Sequence, residues 1–377
     1  MAAPAATTSA VAVEKVAAAG RSLDRRRRPS YHRAMAETMT QRRRLAAAIA
    51  GQPVDRLPVA LWRHFYVQET SRAGLVEAMV RWQKTYDWDF LKINPRASYH
   101  VEDWGNRYDF SGREHVPPAL VRACVHAAED FRHLDRLDPA PSCAAGGRPA
   151  PVLSDHLAAV ADLRAALGPD VPMLMTVFTP MAVAAELAGG PQALAGLIAQ
   201  DPAMVHVGLR AITDTFADFA ARAVAAGADG IFLATTHTAT LANFTAGQYR
   251  EFGRPYDLEV LAAVRAAPFN LLHVCKGRAM VRELADYPAA MINWDTADPT
   301  NPGLAEMAAR APGKALVGGL DRRLFTQPGG REALREQAVA QATRDAAGRP
   351  FVLAATCTID TTADPEAVRA VREFVSI

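Results

Sequence analysis

The stretch PAMVHVGLRAITDTFADFAARAVAAGADGIFLATTH, residues 202–237, decides the fold. Asp201-Pro202 opens it, because proline's fixed φ suits the first turn of a helix and its missing N–H costs nothing there. Ala203 to Ala226 then runs at helical spacing, and Gly227 ends the run as a C-terminal cap would. Asp229–Thr235 follows as a near-continuous apolar run. Such a run suits a strand buried on both faces, and hence a parallel sheet. The unit closes on a polar strand end, Thr235-Thr236-His237.

The same theme recurs on both sides. Strands are predicted at Leu57–Trp62, Trp88–Ile93, Val171–Phe178, Asp229–Thr235, Phe269–Val274, Ala290–Trp294, Lys314–Leu320 and Pro350–Thr356. Further helices are predicted at Gln41–Ala50, Pro180–Leu187 and, after Asp364-Pro365, Glu366–Phe374. Eight such units predict an α/β fold, a TIM (β/α)8 barrel, in preference to a doubly wound sheet. No G-x-G-x-x-G follows the first strand, which counts against a dinucleotide-binding domain. The gap from Ile93 to Val171 holds Tyr99–Phe110 and the Pro-rich Pro139–Pro151, and predicts a helical and loop insertion over the barrel mouth. Met1 to Met39 is Ala-, Thr- and Ser-rich and then runs Arg25-Arg26-Arg27-Arg28-Pro29. It lacks the apolar core of a secretory signal and reads as a disordered extension or a start placed too early, with an organelle leader as the alternative. The barrel domain is then 40–377.

Composition narrows the function. The net charge is +2, from 42 basic against 40 acidic residues, which offers no long-range attraction to nucleic acid or an anionic membrane. Four cysteines in 377 residues cannot form a disulfide scaffold. No apolar run approaches the ~18 residues of a membrane span. A soluble, cytoplasmic enzyme is the expectation; the oligomeric state, a homodimer included, is left open.

Chemistry in such barrels sits at the C-terminal ends of the strands. Those ends read Trp62-Arg63-His64, Lys92-Ile93-Asn94, Thr235-Thr236-His237, His273-Val274-Cys275, Asp295, Asp321 and Thr356-Cys357. His273, Cys275 and Cys357 are the sharpest set. His-x-Cys puts two soft ligands on one face of an extended chain. Cys357, 82 residues on (357 − 275), returns to the same mouth. One imidazole and two thiolates make a three-ligand zinc site with the fourth position open, the catalytic arrangement. Thiolate-rich zinc suits binding and deprotonating a thiol. The plain alternative is that cysteines at strand ends are only core. His64 is a candidate fourth ligand or acid/base, and Asp295 joins it as a catalytic candidate able to orient a ligand histidine. Arg63, Lys92, His237 and Asp321 are the substrate-binding candidates, Arg63 through its planar fork. Either aspartate could equally cap the helix that follows. Cys124 and Cys143 look incidental.

Five segments together resemble the uroporphyrinogen decarboxylase superfamily: Leu57-Pro58-Val59-Ala60-Leu61-Trp62-Arg63-His64-Phe65, Asp89-Phe90-Leu91-Lys92, Ala226-Gly227-Ala228-Asp229-Gly230, Leu272-His273-Val274-Cys275 and Gly318-Gly319-Leu320-Asp321. The resemblance spans about Leu57 to Val375 and implies a TIM barrel with its site at the C-terminal mouth. The decarboxylase proper, which acts on the acetate arms of uroporphyrinogen without a cofactor, is matched at Arg63. Its second arginine falls near Val67 and its final histidine at about Cys357, so one clamp on a multi-carboxylate substrate is missing. The other branch comprises zinc methyltransferases that move a methyl group from a methylated corrinoid to a thiol such as coenzyme M. Their His-x-Cys and distant Cys map onto His273, Cys275 and Cys357. The resemblance therefore implies zinc, a small-molecule thiol substrate that zinc converts to a thiolate nucleophile, and methylcobalamin as methyl donor. No D-x-H-x-x-G motif is present, so the corrinoid would come free or on a separate carrier protein. Lys276-Gly277 departs from the family pattern, and its added positive charge suits an anionic acceptor.

Overall fold

A computed structural model describes residues 38–139, 147–345 and 349–375. Eight buried parallel strands run around a ring: β1 (Val59–Ala60), β2 (Leu91–Ile93), β3 (Met173–Phe178), β4 (Gly230–Ala234), β5 (Leu271–Val274), β6 (Met291–Trp294), β7 (Ala315–Leu320) and β8 (Phe351–Ala355). Their spatial order is β1-β8-β7-β6-β5-β4-β3-β2, every neighbour parallel. The two ends of that order meet where Asp89 N–H donates to Val59 O at 2.9 Å. The chain is a TIM barrel, as the alternation predicts.

The predicted strands bracket the observed ones, and β1 and β2 are shorter than the apolar runs that announce them. Leu61 and Trp62 are buried but lie beyond the ladder. Their hydrophobicity serves the barrel interior, where the Trp62 ring packs 5.3 Å from Phe232 and 6.0 Å from Phe90. The long helix runs Pro202–Ala225, with the Asp201 side chain accepting the Met204 N–H. At Gly227, φ is +117°, and a Cβ would sit 2.9 Å from the Arg164 side chain, so only glycine fits this close turn into β4. No single described helix is long and apolar enough to cross a membrane.

The segment between β2 and β3 contains a helix Tyr99–Glu102, an antiparallel hairpin Arg107–Asp109 with Ala119–Arg122, and an outer helix Pro151–Leu167. The turn of that hairpin reaches the mouth: Glu114 meets Arg63 at 3.2 Å, and His115 meets Thr361 Oγ1 at 3.1 Å. The predicted N-terminal extension lies outside the described residues up to position 37, as do Cys143 and residues 140–146 of the Pro-rich stretch. Met39 is already tied to the barrel, donating its N–H to Asp55 Oδ2 at 2.9 Å.

Candidate metal centre

Two strand ends converge. His273 is the third residue of β5 and points into the barrel, its ring 5.1 Å from Phe232. Cys275 follows one residue past β5. There the chain turns sharply, with Lys276 at φ +77°, and Asn301 Nδ2 pins the turn by donating to Lys276 O at 2.9 Å. Cys357 lies just past β8. Its loop is held by Thr356 N–H on Leu320 O at 2.9 Å and by Ile359 N–H on Trp62 O at 3.0 Å. Main-chain bonds from β7 and β1 thus carry Cys357 to the other two ligands. The sulfurs of Cys275 and Cys357 are 3.6 Å apart, and Cys357 Sγ is 3.5 Å from His273 Nε2. All three ligand atoms lie within 4.8 Å of one another. The contact between the two thiols pushes Cys357 well below the usual thiol range and Cys275 well above it; burial adds to the rise at Cys275.

No ligand atom from another His, Cys, Asp or Glu joins this group among the described residues. His64 instead holds its Nδ1 3.0 Å from Glu69 Oε2 and stacks on Tyr66. Glu69 is 3% exposed and also accepts N–H groups from Phe65 and Ala97. No local pattern announces this glutamate, which sits in a one-turn 3-10 segment, Gln68–Thr70, that reads as surface. Asp295 closes a local turn by accepting Ala297 N–H at 3.1 Å. Asp321 caps the turn Arg322–Thr326 and pairs with Arg323 at 2.8 Å. The group that accepts from His273 is neither aspartate but Asn293, whose Oδ1 is 2.5 Å from Nδ1. Arg63 donates through Nη1 to Thr361 O at 3.0 Å, pairs through Nη2 with Glu114 and packs over Phe65, while its buried Nε has no partner among the described residues. His237 stands in the loop after β4; loss of water and the Lys276 ammonium lower its pKa, while Glu186 and Cys357 oppose the shift.

Lys92 is 6% exposed inside the barrel. Its Nζ donates to Asn94 Oδ1 at 3.0 Å and lies 4.7 Å over the Phe232 ring that also touches His273. Asn94 Nδ2 and Trp62 Nε1 are buried without a partner, as donors awaiting a ligand's acceptor atoms would be. Burial pushes the Lys92 ammonium down to about 7, against the opposing pull of Cys357 and Glu69. An unfolded lysine titrates near ~10.4, so between those values the unfolded chain binds the extra proton. Stability therefore rises as pH climbs from about 7 toward ~10. Lys92→Met is expected to flatten that rise in denaturant unfolding followed across this window, and a wild-type slope in the variant would refute the assignment. A cavity of about 660 Å³ lies away from these residues, lined by Leu304, Ala308, Leu316 and Phe351.

Comparison with known proteins adds to this geometry. The family model described as Uroporphyrinogen decarboxylase (URO-D) matches residues 40–376. A solved methyltransferase from Methanosarcina mazei superposes with a TM-score of 0.69 at 19% identity, covering 89% of this chain and 98% of that one. A Listeria monocytogenes chain described as a candidate vitamin-B12-independent methionine synthase gives 0.48 at 12% identity, covering 85% of this chain and 94% of its own. No curated protein sequence matches.

Proposed function

The chain belongs to the uroporphyrinogen decarboxylase family, and within that family we propose a zinc-dependent methyltransferase that activates a small thiol to accept a methyl group from a methylated corrinoid. The observation that carries the reading is the meeting of His273 Nε2, Cys275 Sγ and Cys357 Sγ within 4.8 Å. The donor set fits the ion. Zn–S bonds of ~2.3 Å and Zn–N bonds of ~2.0 Å at tetrahedral angles give S–S and S–N edges of about 3.8 and 3.6 Å. The corresponding separations here are 3.6 and 3.5 Å. The Methanosarcina neighbour that shares the fold is described as a methyltransferase, in keeping with this reading.

Zinc held there would supply the Lewis acidity that lowers a thiol's pKa into the neutral range. The chain's own residues do the rest. His273, Cys275 and Cys357 would hold the ion, and Phe232 packs beside the His273 ring at 5.1 Å. Lys92 and the unpartnered Trp62 Nε1 and Asn94 Nδ2 are donors for the acceptor's polar end. Lys276 and Arg322 add positive charge near the two sulfurs, which favours an anionic acceptor. The corrinoid would arrive free or on a separate carrier protein docking at the mouth.

Elemental analysis of wild type beside His273→Ala is the first test, followed by methyl transfer from methylcobalamin to small thiols. About one zinc per chain, lost in the variant, together with turnover, is the expected result. Zinc-free wild type, purified reduced and without chelator, would overturn the reading. Decarboxylation of carboxylated tetrapyrroles, abolished by Arg63→Ala, would put the older chemistry of the family in its place.

A further inference from the structure

We propose that Asn293 is a positioning residue that fixes His273 as the Nδ1–H tautomer and so presents a bare Nε2 lone pair to the metal. The inference rests on the reading of His273 as a metal ligand, and it adds how the fold makes it one.

Asn293 is fully buried on β6, in register with His273 on β5 and Val317 on β7. Its amide nitrogen donates to Val317 O at 2.8 Å and to Ala355 O at 3.3 Å. Main-chain carbonyls only accept, so the NH2 end must face them. A flipped amide would set oxygen against two carbonyl oxygens in a dry interior, leaving buried groups unpaired at ~1–3 kcal/mol each. The Oδ1 end is thereby forced toward His273 Nδ1, at 2.5 Å. An amide oxygen also only accepts, so Nδ1 carries the hydrogen. In the neutral ring Nε2 is then unprotonated, and Nε2 is the atom 3.5 Å from Cys357 Sγ. The tautomer of the ligand is thus written in the main chain of two other strands.

The same amide has a second effect. Ala355 stands two residues before Cys357, so one side chain tethers both the strand bearing the histidine and the strand bearing the distant thiol. A carboxylate at this place would also accept from Nδ1, but would bring a negative charge beside the two cysteine sulfurs. The neutral amide orients the ring without it.

The test is the 15N spectrum of His273 in the metal-free protein at mildly alkaline pH, assigned by its loss in His273→Ala. An Nδ1-protonated ring is expected in wild type; an Nε2-protonated ring overturns the proposal without any variant having to fold. Asn293→Ala is expected to mix the two tautomers and weaken zinc about 10- to 100-fold in chelator competition. A folded Asn293→Ala with unchanged tautomer and unchanged zinc affinity would also overturn it. The spectrum separates this proposal from the functional one: an Nδ1–H ring in a protein that binds no zinc sinks the zinc reading alone, and an Nε2–H ring in a protein that binds zinc sinks only the role of Asn293.

Discussion

Cys357→Ser is expected to purify with almost no zinc, while its circular dichroism and unfolding midpoint stay near wild type. Three protein ligands are the least a catalytic zinc site uses, and serine does not deprotonate as a thiol does near a cation. The loss should exceed the ~10–100-fold that removal of a supporting residue costs. Little else should change, because Cys357 lies in the loop past β8, and its position is set by main-chain bonds from Thr356 and Ile359 that the substitution leaves intact. Metal content and thiol methylation should fall together. Normal zinc in a folded Cys357→Ser protein would refute the ligand set, and a folded, zinc-free variant with full activity would separate the metal from the chemistry.

The second large effect belongs to the opposite end of the barrel. Asp89→Ala is expected to cost about 3–5 kcal/mol in denaturant unfolding, without altering the zinc bound per folded molecule. Asp89 is fully buried just before β2. It accepts Arg44 Nη1 at 2.6 Å, Arg56 Nη1 at 2.5 Å and Val59 N–H at 2.7 Å. Both guanidiniums are largely buried, at 4% and 9% side-chain exposure. Removing the carboxylate leaves Arg56 only the Leu57 carbonyl at 3.3 Å and the exposed Asp87 at 3.9 Å, and leaves Arg44 with Asp55 and the Met39 carbonyl. Burying an unpaired charge is the costly event, more than the loss of the pair itself. A drop below about 1 kcal/mol would mean that water reaches these arginines.

These two residues divide the segments that carry the family resemblance. Asp89 and Asp229 sit at the N-terminal ends of β2 and β4, where Asp229 holds Arg42 and Arg164 at 2.6 Å each. They serve stability. His273 and Cys275 sit at the mouth and are the chemical candidates. The sequence marks both kinds alike, as polar residues flanking apolar runs, and only the direction of the strand tells them apart.

Much of the site was readable for a local reason. His273 is on β5 and Cys275 one residue past its end, so extended-chain alternation already predicts their shared face. Their meeting with Cys357 follows once eight units are counted, because a closed ring returns its last strand end to the same mouth. Asn293 carried a signal that was missed: one amide inside the apolar run Met291-Ile292-Asn293-Trp294, where a polar group must have a buried partner. The occupation of Arg63 carried none. Its partners, Glu114 and Thr361, lie 51 and 298 residues away, and no local pattern links them.

The amino-acid sequence by itself determined the eight-unit barrel, its family and the three candidate ligand residues, because hydrophobic period and strand direction are local properties. The tertiary structure alone decided which polar residues are free for chemistry. A hydrogen-bond partner is chosen by what folding brings within about 3 Å, and burial removes the water that would otherwise satisfy either choice. That is why His64 is turned to Glu69, Arg63 to Glu114 and His273 to Asn293.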